Sequence, residues 1–155
     1  GEYPRMSMAA VTTHDLPTLR AYWEGKDLEL RDRLDLFPSA DTHRHVCEER
    51  ERDRAALLAA LANADLRPEG VPGPDSPFAP ELSRAVHLYL ARSASALVAL
   101  QVEDLIGMTE PVNVPGTHEE YANWQRKLAG DIADALGSPG ALRLLAEVQT
   151  ARSRG

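Results

Sequence analysis

The chain has 155 residues, 43% of them hydrophobic and 26% charged, the make-up of one soluble globular unit with room for a packed core. Its formal charge of −7, from 24 acidic against 17 basic residues, argues against an electrostatic grip on nucleic acid, and no apolar run is long enough to span a membrane. A lone cysteine, Cys47, excludes an internal disulfide framework and fits a reducing, cytoplasmic setting.

The first residue is Gly1, with no initiator Met and no charged or apolar leader behind it, so we expect a chain cut from something longer. "MSMAAVTT" (Met6 to Thr13) is short and apolar, suiting a strand buried on both faces. "HDLPTLRAYW" follows, with a helix expected to open near Leu16: Asp15 is placed to accept from its first backbone N–H groups, and Pro17 fits its first turn. Tyr22 and Trp23 fall at core-like positions, and Gly25 stops or kinks the helix. Leu28, Leu30, Leu34 and Leu36 suggest a second short helix ended by Pro38.

Asp41 or Thr42 opens a longer helix running through Ala64. Its charged stretch "EERERDR" (Glu48 to Arg54) reads as a solvated face, and Leu57, Leu58 and Leu61 as the buried one. His43 and Cys47 share a side of this helix, but no second cluster supplies further ligands, so no metal is expected. Residues 67–77, "RPEGVPGPDSP", form an internal Pro/Gly loop. Pro80 suits a helix N1 position, and Leu82, Ala85, Val86, Leu88, Tyr89 and Leu90 make that helix strongly buried.

"ALVALQV" (Ala96 to Val102) is the second strand-like run, followed by a loop rich in proline and glycine. Thr117 and Glu120 match a capping box, so a helix is expected to begin near His118 and to carry Trp124 into ordinary packing. Ser138 and Pro139 start the last helix, with Leu142, Leu145 and Val148 on one side. There is no Gly-rich phosphate loop, no Gly-x-Ser-x-Gly elbow and no Cys/His nucleophile pair, and no cofactor is expected.

The inventory is lopsided: about six helices against two strands of the buried, parallel type. Two such strands do not make a stable sheet alone, but they suit neighbours in a larger parallel sheet joined by a helical crossover. The fold class expected is therefore α/β, a C-terminal portion, predominantly helical with two or three short buried strands. In such folds chemistry gathers at the carboxyl ends of strands. His14 and Asp15 follow the first strand; Glu103 and Asp104 follow the second, and Asn113 lies in the loop beyond. Each has a plainer reading. Asp15 could cap the helix, His14 could be a satisfied structural histidine, and Glu103 and Asp104 could line a solvated turn or a helix N-terminus. Asn113 could bond within its own loop.

Two segments, "TTHDLPTL" and "LVALQVEDLIGMTEPVNVPGTHEEYANWQRKL" (Leu97 to Leu128), resemble the C-terminal region of bacterial 4-alpha-glucanotransferases, the amylomaltase or disproportionating-enzyme family of the alpha-amylase clan. His-Asp pairs recur across that clan, whereas the second segment is long and specific. Ala122 and Gln125 depart from the family's usual Pro and Arg. The resemblance implies a (β/α)₈ TIM barrel whose seventh and eighth strands are the two seen here. It implies Asp15 as the carboxylate that stabilises the transition state, and His14 and Asn113 as substrate-binding residues. Alpha-1,4-glucans would be the substrates of the intact enzyme, without metal, nucleic acid or membrane. The nucleophile and acid/base would lie on earlier strands, so the isolated chain is expected to be inactive, and its unpaired strand edges to favour self-association. A hydrolase of the same clan and a non-catalytic helical interaction module are the rival readings.

Overall fold

A computed structural model describes residues 4–153; the start at Gly1 lies outside the described residues. In chain order it contains β1 (Met8–Ala10), α1 (Leu19–Glu24), α2 (Lys26–Arg33), α3 (Ala40–Asn63), α4 (Pro80–Ala91), β2 (Leu97–Ala99), α5 (Val102–Leu105), α6 (Ile132–Gly137) and α7 (Pro139–Arg152). β1 and β2 pair in parallel, Met8 opposite Leu97, Ala9 opposite Val98 and Ala10 opposite Ala99. Two further bonds, from Ala96 N–H to the Arg5 carbonyl and Leu97 N–H to the Ser7 carbonyl, tie the strand entrances together. No described helix is long and apolar enough to cross a membrane.

Both strands are shorter than the apolar runs that contain them, and they are not buried on both faces. Ala9 is buried, but Met8 and Leu97, paired on the opposite face, are each 64% exposed. With only two strands among the described residues, nothing covers that second face. The open face is a feature of the pairing, because side chains alternate along a strand.

Proline sets the start of α1. A residue before Pro is driven out of the helical region, so Leu16, ahead of Pro17, cannot open the helix. Thr18 does so instead: its Oγ1 accepts from Ala21 N–H. Asp15 is therefore not the cap, and its carboxylate is left for other partners. Gly25, at φ 74, turns the chain out of α1 and straight into α2, a left-handed geometry that glycine adopts without steric cost.

α3 is opened by Ser39, whose hydroxyl accepts from Thr42 N–H. Its charged stretch is not uniformly solvated. Helical periodicity places Arg50 and Arg54 in line with Leu57, Leu58 and Leu61, and Arg50 is buried against α1 and α2. There it forms a bidentate pair with Asp27 at 2.7 and 2.8 Å, donates to the Tyr22 carbonyl, and lies 3.7 Å above the Tyr22 ring. Arg54 donates to the Trp23 carbonyl.

The main core joins Leu19 and Trp23 of α1, Leu58 and Leu61 of α3, Val71 of the Pro/Gly loop, and Leu82, Ala85 and Val86 of α4. A second cluster packs Leu88 and Ala91 of α4 on Leu144 and Val148 of α7. Tyr89 points outward from α4, one residue off the buried stripe. On α7 the inward positions are Ala141, Leu144 and Val148, while Leu142 is exposed, a shift of the stripe set by where α4 crosses. Arg84 and Glu147 clamp the same two helices with paired bonds of 2.6 and 2.9 Å. Near the end of α7, Arg152 donates to the carbonyls of Ala91, Ser93, Ser95 and Ala96, which fixes the approach to β2.

No helix begins near His118. The Thr117 carbonyl, which would accept the first helical bond, takes the Asn123 side-chain amide instead, and Thr117 Oγ1 donates back to Val114. Glu120 accepts from His118 N–H rather than from the Thr117 N–H that a capping box requires. The segment between α5 and α6 is thus a loop held by side chain to backbone bonds.

Candidate active-site mouth

The turn after β1 carries His14 and Asp15 at the carboxyl end of the sheet, held by a single backbone bond from Leu16 N–H to the Thr13 carbonyl. The loop after α5 brings Asn113 beside them. Asn113 Nδ2 donates to Asp15 Oδ1 at 2.7 Å, and His14 Nε2 lies 3.1 Å from Asp15 Oδ2. Oδ1 thus accepts one hydrogen bond, Oδ2 has the His14 ring as its neighbour, and both oxygens keep lone pairs to accept from a ligand. The side chains of His14 and Asp15 are about half exposed, so solvent and solutes reach them. Asn113 does not bond within its own loop; it reaches across to the other strand's turn.

The turn itself is fixed from below. Asp104, in α5, is 4% exposed. Its Oδ1 accepts from Leu19 N–H at 2.7 Å, and its Oδ2 accepts from Thr12 Oγ1. Thr18 Oγ1 donates to the Met108 carbonyl. The residues at both ends of the His14–Asp15 turn are therefore bound to the element that follows β2. Glu103 and Asp104 do stand in the first turn of α5, as the helix N-terminus reading has it, but Asp104 is not solvated, because α1 covers it. Glu103 is spoken for as well: Arg126, from the loop, pairs with it at 3.0 Å, with both side chains nearly buried.

Trp124 was not recognisable as part of this region from sequence. It is not helical and not packed in a core, but 63% exposed, with its ring centroid 5.1 Å from that of His14 and the planes at 45°. Its φ of 62° is a left-handed conformation that bulky residues avoid. The Asn–Trp dipeptide gives no local signal for it. Only the return of the loop, with Trp124 N–H bonded to the Val112 carbonyl, brings the ring to His14.

A recess of about 70 Å³ beside Asp15, Asn113 and Pro111 is smaller than ligand pockets of roughly 300–1,000 Å³. The site in this chain is one wall of a mouth, not an enclosed pocket. A larger cleft of about 670 Å³ runs between α4 and α7, lined by Arg84, Leu88, Arg143 and Glu147 and by none of the mouth residues. Elsewhere, His43 is engaged by Asp32 at 3.2 Å and stacks on Phe37, and the described residues contain no group of three or more side chains placed to hold a metal.

Comparison with known proteins gives a consistent result. The family model described as 4-alpha-glucanotransferase matches residues 1–133. A 4-alpha-glucanotransferase of Haemophilus influenzae is 35% identical over 134 residues, 85% of this chain and 19% of that protein. One of Mycobacterium tuberculosis is 37% identical over 123 residues, 79% of this chain and 16% of that protein. The crystal structure of amylomaltase from Corynebacterium glutamicum superposes with a TM-score of 0.77 at 28% identity, covering 99% of this chain and 22% of that one. The chain spans less than a fifth of the length of the curated relatives it matches.

Proposed function

Because the chain belongs to the 4-alpha-glucanotransferase family, we propose that it supplies one wall of the active site of an enzyme that moves alpha-1,4-glucan segments between glucans. In this reading residues 1–155 are a single segment, the last two βα units of a (β/α)₈ barrel with helical insertions, and residues 67–77 are an internal loop. β1 and β2 are then the seventh and eighth strands. The observation that supports it is the convergence of His14, Asp15 and Asn113, from turns that follow two parallel neighbours, at the carboxyl end of both strands.

Retaining glycosyl transfer uses one carboxylate as nucleophile and a second as acid/base around an oxocarbenium-like transition state. The acid protonates the leaving oxygen as the nucleophile bonds to the anomeric carbon; the 4-hydroxyl of an acceptor glucan then gives its proton to the same acid/base group as its oxygen displaces the nucleophilic carboxylate. A third carboxylate contributes by binding sugar hydroxyls more strongly as positive charge grows on the ring. Asp15 suits that role: it is accessible, it is oriented by Asn113 and His14, and it keeps lone pairs for hydroxyls. His14 and Asn113 would hold the same sugar. The other carboxylates nearby are committed, Asp104 to the clamp and Glu103 to Arg126, so neither suits the nucleophile or the acid/base. Those two groups would come from preceding parts of the complete polypeptide.

Incubation with maltotriose, which serves as both donor and acceptor, tests this. The complete polypeptide should release glucose together with longer oligosaccharides, and residues 1–155 alone should release neither. Glucose and maltose without longer products would identify a hydrolase, and turnover by the isolated chain would refute the division of the site.

A further inference from the structure

Trp124 is exposed, yet the loop works to place it. Its backbone is held in the left-handed region, with Trp124 N–H bound to the Val112 carbonyl. The preceding Asn123 is tied on both ends of its amide, accepting from Val114 N–H and donating to the Thr117 carbonyl and hydroxyl. Strained conformations of bulky residues persist where the surroundings over-determine them, and they cluster at functional sites. The indole stands beside His14, tilted and not stacked on it, which leaves an aromatic face open at the same mouth as the Asp15 carboxylate.

We propose that Trp124 is a stacking platform for a glucosyl ring, the unit adjacent to the one whose hydroxyls Asp15 and His14 engage. The inference rests on the glucan-binding reading of the mouth and adds a binding residue to it. A pyranose has a rim of hydroxyls and two faces of C–H groups. The mouth offers matching chemistry: a carboxylate, an amide and an imidazole for the rim, and an indole plane for a face. Stacking of this kind holds ground state and transition state alike, so its loss should appear in KM and leave kcat nearly unchanged.

The test uses the complete polypeptide and maltotriose. W124A should raise KM about tenfold with kcat within about threefold, and W124F, which retains a ring, should stay within about threefold of wild type in both. Acrylamide quenching, taken as the difference between D15N and the D15N, W124F double variant, needs no unfolding-prone variant. The Trp124 emission should be quenched freely without sugar and protected when maltotriose is bound to the slow D15N protein. An unchanged KM in a folded W124A overturns the platform, as does an indole shielded from acrylamide before sugar is added, which would mean that protein covers it. If the wild type itself transfers no glucan, the reading of the whole mouth fails; if the wild type is active and Trp124 indifferent, only the platform does.

Discussion

Asp15 and Asp104 carry the same carboxylate into opposite surroundings. Asp15 stands in an open turn with one neighbour on each oxygen, while Asp104 is enclosed and satisfies Leu19 N–H at the head of α1 and the hydroxyl of Thr12, two residues beyond β1. The burdens differ accordingly. Asp104→Ala strands a buried backbone donor and should cost about 3 kcal/mol in denaturant unfolding, since bonds to charged groups contribute roughly 1.5–3 kcal/mol each. Asp104→Asn should recover much of that, its oxygen accepting from Leu19 and its NH₂ donating to Thr12 Oγ1. Asp15→Asn should change stability by no more than about 0.5 kcal/mol, as exposed substitutions do. An Asp104→Ala protein as stable as wild type would show that the clamp does not hold the turn. His14 and Asp15 directly follow one strand-like run and Glu103 and Asp104 the other, with Asn113 in the loop beyond; only the family resemblance set His14, Asp15 and Asn113 apart. The enclosure of Asp104 was not legible, because "VEDL" contains no sign that the first turn of α1 will descend on it. Trp124 was hidden for the same reason: its setting is made by residues far from it in the chain.

At the scale of elements, local chemistry was readable where one rule acted alone and misread where two competed. Pro80 and Ser138 start α4 and α7 as their positions suggest. In the turn after β1, Asp15 offers a cap but Pro17 forbids the helix to start there, and Thr18 takes over. After β2, Thr117 and Glu120 have capping-box spacing, but Asn123 occupies the carbonyl the helix needs. The charged half of α3 was misread because burial of Arg50 depends on Asp27 and Tyr22 from other helices. That contact makes two predictions. Asp27→Ala leaves the Arg50 guanidinium buried without its counter-charge and should destabilise the fold by about 3 kcal/mol, the low end for breaking a buried pair. Tyr22, whose hydroxyl donates to Asp53, has its pKa pushed up from 10.0 to about 12, first by burial and then by that bond. A proton held more tightly in the folded state contributes stability that is full below pH 10 and fades as pH climbs towards 12. Unfolding curves from pH 9 to 12 should therefore fall more steeply for wild type than for Tyr22→Phe; parallel curves would contradict the assignment.

For the whole molecule, the parallel pairing of two strand-like runs was foreseen, and so was the helical excess. Their burial on both faces was not realised, since Met8 and Leu97 stand open on one side of the sheet. In the proposed barrel that side faces other strands. The isolated chain should accordingly self-associate or bind a hydrophobic dye, and a Met8→Lys, Leu97→Lys double variant should reduce both. Sedimentation showing a dye-negative monomer of the unmodified chain would speak against a covered face. Whether this wall contributes a carboxylate to glucan transfer is read from the kcat of Asp15→Asn in the complete polypeptide on maltotriose. A fall of about 10²–10³-fold, with the folded fraction and KM nearly unchanged, is the predicted result, in keeping with the loss of a group that acts in the transition state. A kcat within a few-fold of wild type would contradict it.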